Sequence, residues 1–274
     1  DRQQIRLWYN GYNWTGETVY NPFDLLLLFS TRQFRSYWFE IGTPSFLVKL
    51  LLDRRQFTPD LERVVASETL ISTFDVGNIP VEALLFQTGY LTVNSVEYIP
   101  GRMELTLRYP NREVKAGLNE SLLGTMYRDR SVPSRHVGKL YKMLQEVDLS
   151  GLRSLFHSFY ASIPHQWYTS NSINQYEGFY VSVFYSYFAA LGLDIRTEES
   201  TNHGRIDMAV IFGGKVFLFE FKVVEDASEG KALQQLKDMG YAEKYRSLGN
   251  PIHLIGVEFS KKDRNLVAFD VETI

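Results

Sequence analysis

The dipeptide Gly213-Gly214 stands between two runs that are apolar at nearly every position, Ile206 to Phe212 and Lys215 to Val223. Two-residue hairpin turns need positive φ at their centre, which glycine adopts without a Cβ clash. The sequence therefore predicts an antiparallel strand pair folded about these glycines, with Phe212 facing Lys215 and the pairing continuing until Asp207 faces Glu220 and Arg205 faces Lys222. One face of that pair carries Asp207, Ala209, Ile211, Val216, Leu218 and Glu220; the other carries Ile206, Met208, Val210, Phe217, Phe219 and Phe221. Strands that are apolar on both faces belong in a sheet covered on both sides, so the fold class is α/β.

Two carboxylates opposed at the end of such a stripe are not a stability device. Like charges directly across a ladder destabilise it, and a buried unpaired charge costs several kcal/mol. A divalent cation between Asp207 and Glu220 makes the arrangement sensible, and oxygen ligands with open water positions suit Mg²⁺. Lys222 returns to the same face two residues after Glu220, where an ammonium polarises a water or stabilises an oxyanion. Two alternatives stay open. Arg205 can neutralise both carboxylates in a structural ion-pair cluster, and a β-bulge would break the register.

Around this hairpin, residues 166–274 read αβββαββ: a helix from Ile173 to Leu191, a strand from Leu193 to Glu198, the hairpin, a helix from Ala227 to Arg246, and strands from Pro251 to Ser260 and Asn265 to Thr273. Upstream, 1–59 is helical and dense in aromatics, with Asn21-Pro22 opening one helix. Residues 60–130 read as short helices followed by a hairpin turned at Pro100-Gly101 and a helix from Arg112, a winged-helix-like order. Arg128 to Ser134 reads as a linker, and 131–165 as a helical connector.

Composition narrows the chemistry. The 274 residues contain no cysteine, which removes disulfides, thiolate nucleophiles and zinc ribbons, and suits a reducing, cytoplasmic setting. A net charge of −3 advertises no broad cationic surface, so any nucleic-acid contact has to be local. No apolar run is long enough to span a bilayer. The five histidines show no metal-ligand spacing, and no nucleophile elbow is present. The chain opens at Asp1 in mid-pattern without an initiator Met, which reads as part of a longer protein.

Gly204-Arg205-Ile206-Asp207, Glu220-Phe221-Lys222, Ala232-Leu233 with Gln235, and Gly240-Tyr241-Ala242-Glu243-Lys244-Tyr245 together resemble the PD-(D/E)XK nuclease superfamily, within a restriction-endonuclease-like domain over 166–274. They are most similar to its branch fused to a divergent AAA-ATPase-like domain in bacteria and archaea. Trp8-Tyr9-Asn10-Gly11-Tyr12, Val19-Tyr20-Asn21-Pro22-Phe23 and Gly42-Thr43-Pro44-Ser45 look like the distal end of that ATPase-like region, and Pro110-Asn111 with Glu113-Val114 like its connection to the nuclease. No G-x-x-x-x-G-K-[ST] occurs, so ATP hydrolysis is not expected of this chain.

The resemblance implies roles residue by residue. Asp207, Glu220 and the Phe221 backbone carbonyl would hold Mg²⁺ or Mn²⁺, and Lys222 would position the attacking water. Glu177, from Glu177-Gly178-Phe179-Tyr180, would support that site or bind a second metal. Gln235 would orient the phosphate; its alternative is a helix-to-strand hydrogen bond, and that of Glu177 is a helix-dipole contact. One departure is that Ile206 stands where the family name has Pro. Arg205, His203, Lys237 and Lys244 are candidate nucleic-acid contacts, although His203 also suits an ordinary loop and both lysines an ordinary solvated surface. The resulting expectation is a metal-dependent nuclease, with DNA favoured, coupled to an upstream ATPase-like domain and not to a membrane, with oligomerisation open. Its rival is a catalytically silent nuclease fold that binds nucleic acid or protein.

Overall fold

A computed structural model describes residues 1–41, 45–54, 56, 58–72, 79–127, 131–163, 173–200 and 205–274, with the backbone alone at 40, 41, 173–177 and 198–200. The chain divides into two compact units, Asp1–Leu122 and Leu123–Ile274.

The first unit runs α1 (Arg2–Tyr9), β1 (Asn10–Tyr12), β2 (Val19–Tyr20), α2 (Pro22–Thr31), α3 (Trp38–Ile41), α4 (Ser45–Asp53), a 3₁₀ turn (Thr58–Glu62), β3 (Val64–Ser67), α5 (Glu68–Ile71), α6 (Val81–Gln87), β4 (Thr92–Ile99), β5 (Arg102–Arg108) and into α7 (Arg112–Met126). Asn21-Pro22 opens α2 as its chemistry predicts: the Asn21 side chain accepts the Phe23 N–H at 3.0 Å, and Pro22 takes a first-turn position that needs no amide hydrogen. The hairpin at Pro100-Gly101 is present, and β3 joins it from the far side to give the order β3-β5-β4. Leu47, Val48 and Leu51 of α4 pack in one core with Leu85, Leu105, Leu107 and Leu118.

Two acids lie inside this unit. Asp24 of α2 and Glu113 of α7 are both fully buried, and burial raises both carboxyls. Glu113 Oε1 also accepts the Trp38 N–H at 2.9 Å. Burial, and then the contact with Asp24, push the Glu113 carboxyl up to about 9.

The second unit continues with α8 (Ser131–Glu146), α9 (Leu149–Ser162), α10 (Ile173–Ala190), β6 (Asp194–Ser200), β7 (Arg205–Phe212), β8 (Lys215–Val224), α11 (Lys231–Asp238), α12 (Glu243–Arg246), β9 (Ile252–Ser260) and β10 (Asn265–Thr273). Its five-stranded sheet has the order β10-β9-β8-β7-β6, antiparallel throughout except for the parallel pair β8–β9. This mixed sheet and the αβββαββ order are those expected of a restriction-endonuclease-like domain. Both sheet faces are covered. Leu236, Tyr241 and Tyr245 pack against Ala209, Val216, Leu218 and Leu254 on one side. On the other, Phe184 of α10 meets Phe219 and Phe221 at ring separations of 5.2 and 5.0 Å, and Tyr160 of α9 meets Phe259 at 5.0 Å.

Two elements differ from expectation. The helix anticipated from Ala227 to Arg246 is two pieces, because Gly240 takes a left-handed φ of +57° and ends the first, while the chain before Lys231 is not helical. Of the anticipated linker, residues 128–130 lie outside the described residues and Ser131 to Ser134 open α8. Pro133 fits there, since first-turn amides have no intrahelical acceptor.

Candidate functional site

Gly213 and Gly214 have φ of +57° and +71°, the positive pair the turn requires. The register runs as the sequence predicts, from Phe212 opposite Lys215 to Met208 opposite Phe219. Beyond that pair the strands are joined through a side chain: Asp207 Oδ2 accepts the backbone N–H of Phe221 at 2.9 Å. Strict alternation also fails here, since Ile206, expected on the opposite face from Ala209, lies in the same buried cluster.

Asp207 is half-buried and Glu220 is 1% exposed. Lys222 Nζ donates to Glu220 Oε1 at 3.0 Å, whereas Glu220 Oε2 is buried with no hydrogen-bond partner among the described residues. Burial, and then the neighbouring charge of Asp207, push the Glu220 carboxyl up to about 7, against the opposing pull of the Lys222 ammonium and the Asp207 backbone N–H. The structure thus brings Asp207, Glu220 and Lys222 together. A buried carboxylate oxygen without a donor, beside a second carboxylate, fits a hard cation held by oxygen. Among the described residues no group of three or more His, Asp or Glu gathers to hold a metal. The protein would therefore offer two carboxylates and the Phe221 carbonyl, with water and phosphate oxygens completing the shell.

The helix over this site is placed by a glycine and an acid. Gly256 is the β9 register partner of Glu220, so the two positions share a sheet face. A Cβ at Gly256 would collide with the Leu233 backbone nitrogen, which puts α11 directly on that face. Gln235 is half-buried on this helix. Glu258, the register partner of Lys222, is 1% exposed and accepts the N–H groups of Glu229 at 2.6 Å and Ala232 at 3.2 Å. These bonds hold its carboxyl below the usual glutamate range in spite of burial. Sequence reasoning passed over Glu258, although a lone acid in a largely apolar strand run was a visible signal.

The remaining expected residues are more scattered. Arg205 is exposed at the start of β7, and Lys244 is exposed on α12. Lys237 is ion-paired with Glu272 of β10 at 2.7 Å. Glu177 lies on the α10 backbone with its side chain outside the described residues, and His203 lies outside them altogether.

An uncharacterized protein from the vnfD 5′ region of Azotobacter chroococcum mcd 1 is 61% identical over all 274 residues. The chain spans about half the length of that relative, 53% of it. No solved structure matches. Among the described residues no helix is long and apolar enough to cross a membrane. Residues 175–269, which contain Asp207, Glu220, Lys222, Gln235 and Glu258, match the family model of the PD-(D/E)XK nuclease superfamily.

Proposed function

We propose that this chain carries a metal-dependent nuclease that hydrolyses phosphodiester bonds of nucleic acid, with DNA the favoured substrate. The observation that carries the reading is the convergence of Asp207 and Glu220 beside Lys222, with Glu220 Oε2 buried and lacking a donor among the described residues. Mg²⁺ or Mn²⁺ held there supplies a bound water of lowered pKa and a brace for the scissile phosphate. Asp207 and Glu220 contribute the oxygen ligands, with the Phe221 carbonyl beside them. Lys222 steadies the negative charge that grows on the phosphate oxygens as water adds and the P–O bond breaks. Gln235 orients the phosphate from α11, and Glu177 supports the site from α10. Arg205, His203, Lys237 and Lys244 are the candidate contacts for the rest of the strand, and an ATPase-like domain elsewhere in the full-length protein governs the cleavage.

A silent nuclease fold that serves as a binding module is the second reading. It is favoured by the net charge of −3 and by the way Lys237, Lys261 and Lys262 are occupied by Glu272, Glu225 and Asp226. Calorimetric titration of the metal-stripped chain with Mn²⁺, beside Asp207→Asn, tests the first reading. Saturable binding lost in the variant, together with Mn²⁺-dependent cleavage of DNA, is the expected result. Nucleic-acid binding without either would establish the silent module.

A further inference from the structure

The first turn of α11 lacks a cap of its own. Gly230 occupies the N-cap position in a left-handed conformation and has no side chain to accept the free amide hydrogens. The cap comes instead from a strand, where Glu258 of β9 collects the N–H groups of Glu229 and Ala232. A carboxylate this deeply buried is tolerated only because those donors replace water. Its strand neighbour in register is Lys222, and two residues earlier Gly256 gives α11 its closest approach to the sheet, opposite Glu220.

We propose that Glu258 is a positioning residue of the nuclease site, an imported cap that locks α11 in axial position and rotation over Glu220 and Lys222 and so fixes where Gln235 points. Slipping an α-helix by one residue displaces a side chain by about 1.5 Å and turns it by about 100°, enough to take Gln235 out of reach of a phosphate. A local Ser or Asp cap would satisfy the same amides without tying the helix to the strand beside Lys222. The inference rests on the nuclease reading for its consequence in catalysis, but not for the cap itself.

The test compares wild type, Glu258→Gln and Glu258→Ala in the full 274-residue chain, by residue-resolved amide hydrogen exchange, Mn²⁺ titration and single-turnover cleavage of DNA. Glu258→Gln is the conservative variant, able to keep one of the two N–H bonds, should Glu258→Ala fail to fold. Exchange at Glu229 and Ala232 is expected to quicken at least tenfold in the variants while β8 and β9 stay protected. The maximal cleavage rate is expected to fall at least tenfold, with Mn²⁺ affinity within about twofold of wild type. Unchanged exchange at Glu229 and Ala232 in a folded variant overturns the proposal, whatever cleavage does. Exchange that quickens across β8 and β9, with Mn²⁺ affinity falling in step, makes Glu258 a general core residue and also overturns it. If wild type neither binds Mn²⁺ nor cleaves, the nuclease reading fails; the positioning role in catalysis then falls with it, and the exchange data still decide the cap.

Discussion

Asp207 takes the amide N–H of Phe221 onto its own carboxylate at 2.9 Å, past the last backbone pair of the β7–β8 hairpin. One side chain therefore closes the ladder and lies beside the Glu220 carboxyl. These two roles separate by substitution. Asp207→Asn keeps an oxygen for Phe221 while losing the charge, so metal-dependent cleavage should vanish with stability within about 1 kcal/mol of wild type. Asp207→Ala strands the Phe221 amide and should lower stability by about 1–3 kcal/mol, read by urea denaturation. Equal stability of the two variants would show that the Phe221 bond contributes nothing.

Glu220 gives a pH signature in the absence of metal. Its carboxyl is raised from an ordinary value near 4.5 to about 7, mainly by burial, so the folded state favours the protonated form. The stabilisation from that preference is complete below the ordinary value and is lost as pH rises through about 7. Against Glu220→Gln, which does not titrate, metal-free wild type should lose up to about 3 kcal/mol between acid and mildly alkaline pH. Saturating Mg²⁺ should flatten the difference, because a cation then offsets the ionised carboxylate. Parallel pH profiles for the two proteins would place no titrating group at 220.

Lys222 donates to Glu220 across 3.0 Å and keeps about a third of its side-chain surface in solvent. Lys222→Ala should leave Mn²⁺ binding largely in place and lower turnover by about a hundredfold or more. Calorimetry and single-turnover kinetics on one preparation separate the two effects. Turnover equal to wild type would remove Lys222 from the mechanism.

The Asp24–Glu113 pair places the same physics in the first unit, at higher pH. Burial raises the Glu113 carboxyl from about 4.5 to about 9, so the stability it confers is complete below the ordinary value and is lost progressively as pH rises from there through about 9. Glu113→Gln retains an oxygen for the Trp38 amide and removes the titrating carboxyl. The denaturation temperature of wild type should fall between about pH 4.5 and 9, and that of Glu113→Gln less so. Identical profiles over that range would place no raised carboxyl at position 113.

What was legible in the sequence had local causes. The Gly213-Gly214 turn, the alternation on either side of it and the Asn21-Pro22 helix start each declare themselves within a few residues. Asp207, Glu220 and Lys222 became candidates because the hairpin fixed their register. What stayed hidden was long-range. β3 is four residues with no period of its own, and only its partner β5 makes it a strand. Asp24 passes for a first-turn acid and Glu113 for another, and no spacing shows that the fold buries both together. The cap from Glu258 likewise depends on where β9 lies beneath α11, whereas the stop at Gly240 is a local glycine signal.

Gly256 shows how a residue without a side chain fixes the geometry of this site. It pairs in register with Glu220, and α11 rests on it so closely that a Cβ would meet the backbone nitrogen of Leu233. Because the colliding atom is main chain, no rotamer change relieves the clash, and the helix itself has to move. Gly256→Ala should therefore destabilise the fold by about 1–3 kcal/mol and lower cleavage further than that loss of folded protein explains. Asp207 and Glu220 stay on their strands, so Mn²⁺ affinity should hold while turnover falls, measured where the variant is fully folded. Retained turnover in folded Gly256→Ala would mean that the position of α11 over Glu220 does not matter to the chemistry.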